Sequence, residues 1–550
     1  MARRLPKTLS AHGRARADDY YWMRERDDPQ VIAYLEAENA YTEAMTSHTK
    51  PLEDRLYEEI KGRIKQTDMS VPYRYDGFFY YSRFEDGRAY PIHCRKEGSL
   101  DSSEQILLDV NQLAEGHAFY SVGRRAVSPG RNILAYAVDL AGRRIHTVYF
   151  KDLDSGELLE DVIPDVAANF SWANDNRTLF YTKQDPETLR WHRVYRHVLG
   201  SDPAEDVLVY EEADEAFATF VFKSKSRRFL VIGSTQTVTT EYRLNEADEP
   251  DGRFRVVLPR RAGHEYHVDH LDDALFLRTN DGAENFRLVR APLDKHEQPH
   301  WEDVTPARDD VFLETFELFR DHLVLVERRD GLIQMRIEPW LGATGHWLDF
   351  GEPAYTAYVH MNPELDTALL RYGYTSLTTP NSVFDYDMNT RSKTLLKQEE
   401  VLGDFEASRY VTERLHATAG DGSRVPISLV YRQDQRQAGG NPALVYGYGA
   451  YGLSVDPVFR PSRISLLDRG FVFAIAHVRG GQELGRRWYD GGRLLNKKNT
   501  FTDFISCAEH LVSSGHADPA RLFAMGGSAG GLLIGAVINM RPDLFKGAIA

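Results

Sequence analysis

Short β-rich runs recur down the first two thirds of this chain at a nearly constant interval. Seven are evident: Phe78–Tyr81, Ile133–Tyr136, Leu179–Tyr181, Phe229–Ile232, Leu275–Leu277, Leu323–Val326 and Ala368–Arg371. They lie roughly 45 to 55 residues apart, the range of propeller blades. Polar turns precede several of them, at Ser128–Asn132, Ala173–Arg177, Lys223–Arg227 and Asn362–Asp366. A turn before an apolar strand and a more polar strand after it is what an antiparallel blade requires. A large β-sandwich or two stacked β-domains could also use such strands. Regular spacing over about 330 residues favours a seven-bladed β-propeller over residues 72–402.

The sequence on either side is different. Asp28-Pro29 opens a helical pattern with Pro29 in its first turn. Leu52, Leu56, Ile60 and Ile64 then fall every fourth residue. Residues 1–71 therefore form a helical segment, expected to pack on a domain supplied by distant sequence. Beyond residue 403, strands alternate with helices. Pro426–Tyr431, Pro442–Tyr446 and Phe471–His477 read as strands, Phe501–Leu511 as a helix, and Leu522–Met525 as a further buried strand. That alternation implies a doubly wound, mostly parallel sheet covered on both faces.

The strand Leu522–Met525 runs into Gly526-Gly527-Ser528-Ala529-Gly530, and an apolar helix follows from Leu532 to Ile538, ahead of Pro542. This is G-x-S-x-G in its strand–turn–helix context, the nucleophile elbow of α/β-hydrolases. Glycines flank Ser528 because a Cβ would crowd the strained turn that exposes its hydroxyl. The amide of Ala529, at the helix N-terminus, faces the oxyanion that develops when a serine attacks an acyl carbon. A second donor in this fold comes from the loop after an earlier strand. Gly447-Tyr448-Gly449 occupies that place, and a tyrosine hydroxyl can serve, although Tyr448 could equally be a core aromatic beside glycine turns.

The triad order in this fold is Ser, acid, His. His477 precedes Ser528 and is read as structural, as are His93 and His264. Gly547–Ala550 looks like the start of another buried strand, so the acid, the histidine and the closing strands are expected beyond Ala550.

Composition narrows the setting. Lys and Arg number 67 against 82 Asp and Glu, a formal charge of −15, which argues against a nucleic-acid partner and favours cationic ligands. The only cysteines, Cys94 and Cys507, show neither metal spacing nor a disulfide framework, which fits a reducing, cytoplasmic compartment. No secretory h-region follows the N-terminus, and no apolar run is long enough to span a bilayer.

Several segments together resemble the prolyl oligopeptidase family of serine peptidases, and within it the oligopeptidase B group. They are Asp18–Trp22, Tyr34–Tyr41, Tyr446–Gly452, His477–Tyr489, Lys497–Phe501 and Gly526–Gly531. The proline-specific relatives typically carry Asn where this chain has Ala529, and Phe where it has Tyr451. The resemblance implies helices 1–71 packed on an α/β-hydrolase domain at 403–550 and an inserted propeller that limits entry to short peptides. It implies cleavage after Lys or Arg, with Ser528 as nucleophile and Tyr448 and Ala529 as oxyanion hole. It also makes Asp456 a contact for a basic P2 side chain, although the second carboxylate of that pair is replaced by Val458. No cofactor or metal is implied, nor a membrane partner, and a monomer or weak homo-oligomer is expected. A proline-specific or acylaminoacyl-type peptidase, an esterase, and a propeller binding protein with an inactive hydrolase domain are the alternatives.

Overall fold

The computed structural model describes residues 2–342 and 344–550. They divide into a unit ending at Ile64 and a larger one from Lys65 to Ala550. The first opens with a hairpin, Lys7–Ala11 against Arg14–Asp18, turned at His12-Gly13, both in the left-handed region (φ 52° and 72°). Its helix Pro29–Thr46 begins where Asp28 accepts a hydrogen bond from the Gln30 amide (2.8 Å), with Pro29 in the first turn as expected. A second helix follows at Lys50–Gly62.

Among the described residues, the β-rich region forms five four-stranded antiparallel sheets and one seven-stranded sheet. Each of the seven runs named above falls on a strand that follows a hairpin turn. The expectation of seven separate blades is nevertheless corrected: Ile133–Asp139 and Thr178–Gln184 belong to the same sheet. The cause is the 15-residue strand Leu158–Trp172. It pairs with His146–Asp152 through its first half and with Thr178–Gln184 through its second, and Val166 faces both His146 and Lys183. The register shifts near Pro164 and Asp165 (φ 58°), but the strand does not end there. Seven β-rich runs thus make five four-stranded blades and one continuous sheet.

Neighbouring sheets bury apolar faces against each other. Between the last two, Phe319, Val324, Met335 and Ile337 meet Ala357, Leu370 and Tyr372. Side chains link the first four-stranded sheet and its flanking residues to the last one. Arg371 donates to the Pro72 carbonyl (2.6 Å), Lys397 reaches Asp68 and the Met69 carbonyl (both 2.6 Å), and Glu364 accepts from the Asp76 amide (2.6 Å).

The remaining sheet has six strands in the spatial order Tyr410–Thr418, Arg424–Arg432, Val472–Ala476, Asn441–Tyr446, Ala517–Met525, Gly547–Ile549. The first two pairings are antiparallel and the other three parallel. The parallel strands are apolar on both faces because helices cover them. Phe504, Cys507, Ala508 and Leu511 of the helix Lys498–Ser513, and Leu533, Ile534 and Val537 of the helix Ala529–Met540, complete that core. This α/β-hydrolase sheet is joined to one end of the propeller by polar contacts. Arg486 bonds through its amide to Asn285 (2.9 Å) and Arg487 to Glu284 (2.8 Å), the Phe459 amide donates to Thr375 (3.1 Å), and Arg328 pairs with Asp456.

Candidate active site

The strand Ala517–Met525 delivers the chain to the centre of the sheet, and the helix Ala529–Met540 carries it away. Ser528 lies between them at φ 56°, ψ −118°, a conformation that L-residues rarely adopt, and its side chain is exposed. Close approach explains two glycines, one within the turn and one against the loop at Gly447. A Cβ on Gly526 would lie 2.5 Å from the Gly530 carbonyl oxygen, and one on Gly530 2.7 Å from the Gly447 carbonyl oxygen. Gly527 has open space around its own Cβ position, so crowding does not account for it. The Ala529 amide occupies the first turn, where a helix offers no internal acceptor.

The loop after the strand Asn441–Tyr446 lies directly against this turn. Gly447 donates its amide to the Met525 carbonyl (3.1 Å), and the Cβ position of Gly530 is 3.6 Å from Cα and ring Cδ2 of Tyr448. The structure therefore brings Ser528, Ala529 and Tyr448 into one place, although 80 residues separate Tyr448 from Ser528. Their arrangement has the elements of acyl transfer: an exposed serine on a strained turn, a helix N-terminal amide beside it, and a phenol on the adjoining loop.

Asp456 is in a different situation. Its two carboxylate oxygens accept from Nη1 and Nη2 of Arg328 (2.7 and 3.2 Å). The Arg328 side chain is only 2% exposed and also contacts Glu314 (2.5 Å) and the Gly331 carbonyl (3.1 Å). Asp456 thus joins the hydrolase loop to a propeller hairpin. Nothing in the sequence signalled Arg328, which lies 128 residues away.

The histidines have structural partners. His477 is buried, and its Nε2 hydrogen bonds to Ser428 (2.8 Å), not to Ser528. His93 bonds to Ser82 (2.7 Å), and burial, aided by Arg125, pushes its pKa down to about 4. His264 bonds to Thr279 (2.9 Å). Other residues shape the site without contacting Ser528. Asp503, fully buried, accepts from the Arg479 amide (3.0 Å), Nε (2.8 Å) and Nη2 (2.6 Å). Glu483 accepts from the Val455 amide (2.9 Å), next to Asp456. Arg479 and Glu483 lie in the His477–Tyr489 segment, but their partners Asp503 and Val455 lie outside it and appear only in three dimensions. Among the described residues no group of His, Cys, Asp and Glu is placed to hold a metal ion, and no helix is long and apolar enough to cross a membrane.

An exposed elbow serine on an α/β-hydrolase sheet joined to a β-propeller defines a class of serine peptidase, and comparison with known proteins agrees. Residues 1–399 match the family described as "Prolyl oligopeptidase, N-terminal beta-propeller domain", and residues 457–550 match the "Prolyl oligopeptidase family". The chain is 48% identical to a protein named dipeptidyl aminopeptidase BI from Pseudoxanthomonas mexicana, over 97% of this chain and 76% of that one. It is 38% identical to protease 2 of Moraxella lacunata, over 99% and 79%. Oligopeptidase B of Leishmania major superposes with a TM-score of 0.93 at 36% identity, over 100% of this chain and 81% of the other. The chain belongs to the prolyl oligopeptidase family and is a serine peptidase.

Proposed function

We propose that the protein is an oligopeptidase that cleaves short peptides on the C-terminal side of Lys or Arg, with Ser528 as nucleophile. The observation that carries this reading is the exposed Ser528 at φ 56°, packed beside the Tyr448 loop. Ser528 Oγ attacks the scissile carbonyl carbon as its proton passes to a base. The carbonyl oxygen becomes an oxyanion that accepts from the Ala529 amide and the Tyr448 hydroxyl. Collapse breaks the C–N bond as the base returns that proton to the departing amine; water then attacks the acyl carbon, passing its proton through the base to Ser528 Oγ as the acid product leaves. His477 is not the base in this scheme, because its Nε2 is engaged by Ser428.

Basic specificity is supported by the net charge of −15 and by the resemblance to the oligopeptidase B group. Asp456 is proposed as a P2 contact of reduced strength. A carboxylate has about four lone-pair sites, so it can accept from a substrate cation while Arg328 holds it, but its charge is already largely neutralised. The propeller is proposed to restrict substrates by size, since its polar contacts hold it against the hydrolase domain. Two buried, unpaired cysteines support a cytoplasmic setting. A monomer or weak homo-oligomer is the proposed state.

The 48% identity to a protein named dipeptidyl aminopeptidase supports a second reading, release of N-terminal dipeptides. One substrate panel separates the two. Peptides with Arg, Pro or Ala before the cleaved bond are offered with a free or acetylated N-terminus, beside a native folded protein. Preferred cleavage after Arg irrespective of acetylation, with the folded protein intact, is expected. Loss of all cleavage on acetylation would establish the second reading, and rapid digestion of the folded protein would exclude size restriction.

A further inference from the structure

Lys497 stands at a position that a cation should avoid. It is the N-cap of the helix Lys498–Ser513, whose first turn holds no acidic residue and whose N-cap side chain makes no capping bond. The helix dipole places positive partial charge there, so an ammonium at this end is destabilising. Lys497 is also partly buried, and burial alone draws its pKa below the ordinary lysine value, with no carboxylate offsetting the shift. Lys497 also closes the 3-10 turn Leu494–Asn496, but among the described residues no carboxylate pairs with this half-buried cation.

Its ammonium donates instead to the Gly449 carbonyl, the residue after Tyr448. That carbonyl is confined from a second side. Gly480 approaches it so closely that a Cβ on Gly480 would collide with the Gly449 carbonyl. Gly449 itself has φ 67°, and a Cβ there would collide with Thr500 and lie 2.7 Å from Val478 Cγ2. Thr500 is fixed in turn, donating to the Arg479 carbonyl (2.7 Å). The Gly452 amide donates to the Gly480 carbonyl (3.0 Å), so the loop is tied down just past the clamp as well.

We infer that Lys497 is a positioning residue for acyl transfer: by holding the Gly449 carbonyl it fixes the Gly449–Ala450 peptide plane, one residue past Tyr448, and so anchors the loop that keeps the phenol hydroxyl aimed at the oxyanion. The inference rests on the reading of Tyr448 as an oxyanion donor. Lys497 touches neither substrate nor Ser528 in this scheme and acts through Tyr448 alone.

The test is a cycle of Lys497→Met, Tyr448→Phe and the double variant in the enzyme, with kcat and KM measured on one short Arg peptide. Displacing a catalytic group by about an ångström can cost on the order of 100-fold, so Lys497→Met is expected to lower kcat by about 10- to 100-fold with KM changed less than about two-fold. In the Tyr448→Phe background the same change should lower kcat by less than about two-fold, because there is no hydroxyl left to misplace. Losses that multiply in the double variant, or an unchanged kcat in Lys497→Met, would overturn the inference. An unchanged kcat in Tyr448→Phe alone would instead remove the oxyanion reading on which it rests. A merely structural lysine would lower thermal stability without this coupling. Should the Met variant fail to fold, Lys497→Arg, which keeps the charge but alters the reach, enters the same cycle: a loss that disappears with Tyr448→Phe supports the inference, and a multiplicative loss overturns it.

Discussion

Arg328 and Asp456 make a sharp prediction because burial and exposure are divided unequally between them. The Arg328 side chain is 2% exposed and that of Asp456 27%. Breaking a buried ion pair by removing one partner costs about 3–5 kcal/mol. Asp456→Ala leaves the buried guanidinium with Glu314 and one carbonyl as remaining partners, so the expected loss falls at or just below the bottom of that range, about 2–3 kcal/mol. Arg328→Met leaves a carboxylate that water can reach, and should cost only about 1 kcal/mol. The double variant should lie close to Arg328→Met rather than at the sum, because the orphaned charge is gone. Calorimetric unfolding at a fixed scan rate measures all four proteins. Catalysis supplies a second readout, with Arg-Arg and Ala-Arg before the cleaved bond. Asp456→Asn should reduce the preference for Arg-Arg by less than about ten-fold, since one neutralised carboxylate is worth at most about 1.4 kcal/mol there. Arg328→Met should increase that preference, because it frees Asp456 for the substrate, and added salt should weaken it. Additive stability losses, together with an Arg-Arg preference unmoved by either substitution, would refute this reasoning.

Three further outcomes follow from individual side chains. Tyr448→Phe keeps the ring and removes one oxyanion donor, so kcat should fall by about 10²–10³ with KM little changed, as steady-state kinetics will show. Asp503→Asn leaves the Arg479 guanidinium with Asp421 as its remaining carboxylate partner (2.6 Å), and should cost about 3 kcal/mol or more in denaturant unfolding. Asp269, in the propeller, accepts from the Lys225 and His270 amides, but burial pushes its pKa up to about 6. Its folded pKa exceeds the unfolded value of about 3.9, so the folded state holds the proton more tightly. The stability it contributes is present below about pH 4 and is lost as pH rises through about 6. Asp269→Asn should therefore gain on wild type across that window, by up to about 2–3 kcal/mol above it, and a difference independent of pH would contradict the assignment.

What could be read from the sequence was local. The elbow was legible because strand, glycine turn and helix are contiguous, and the strain at Ser528 and the crowding at Gly526 follow from that order, whereas Gly530 is crowded by the distant Gly447 carbonyl. The strands after Ser128–Asn132 and Ala173–Arg177 were legible because polar turns announce hairpins. The number of sheets was not, because spacing counts the runs at Ile133 and Leu179 separately, while the strand Leu158–Trp172 between them pairs on both sides and joins them in one sheet. The hairpin Lys7–Asp18 escaped notice because its strands are exposed and lack apolar alternation. Contacts made by charge across sequence left no local trace: Arg328 lies 128 residues from Asp456, and Lys497 lies 48 from Gly449. The residue types were visible, but their partners depend on how the sheets assemble.

Covalent labelling decides whether Ser528 is the nucleophile. The enzyme is treated with a fluorophosphonate, digested, and the modified residue located by mass spectrometry, with Ser528→Ala treated in parallel. A single stoichiometric adduct is expected on Ser528, absent in Ser528→Ala, with nearly all turnover lost in that variant. An adduct on another serine, or near-normal hydrolysis by Ser528→Ala, would contradict that assignment.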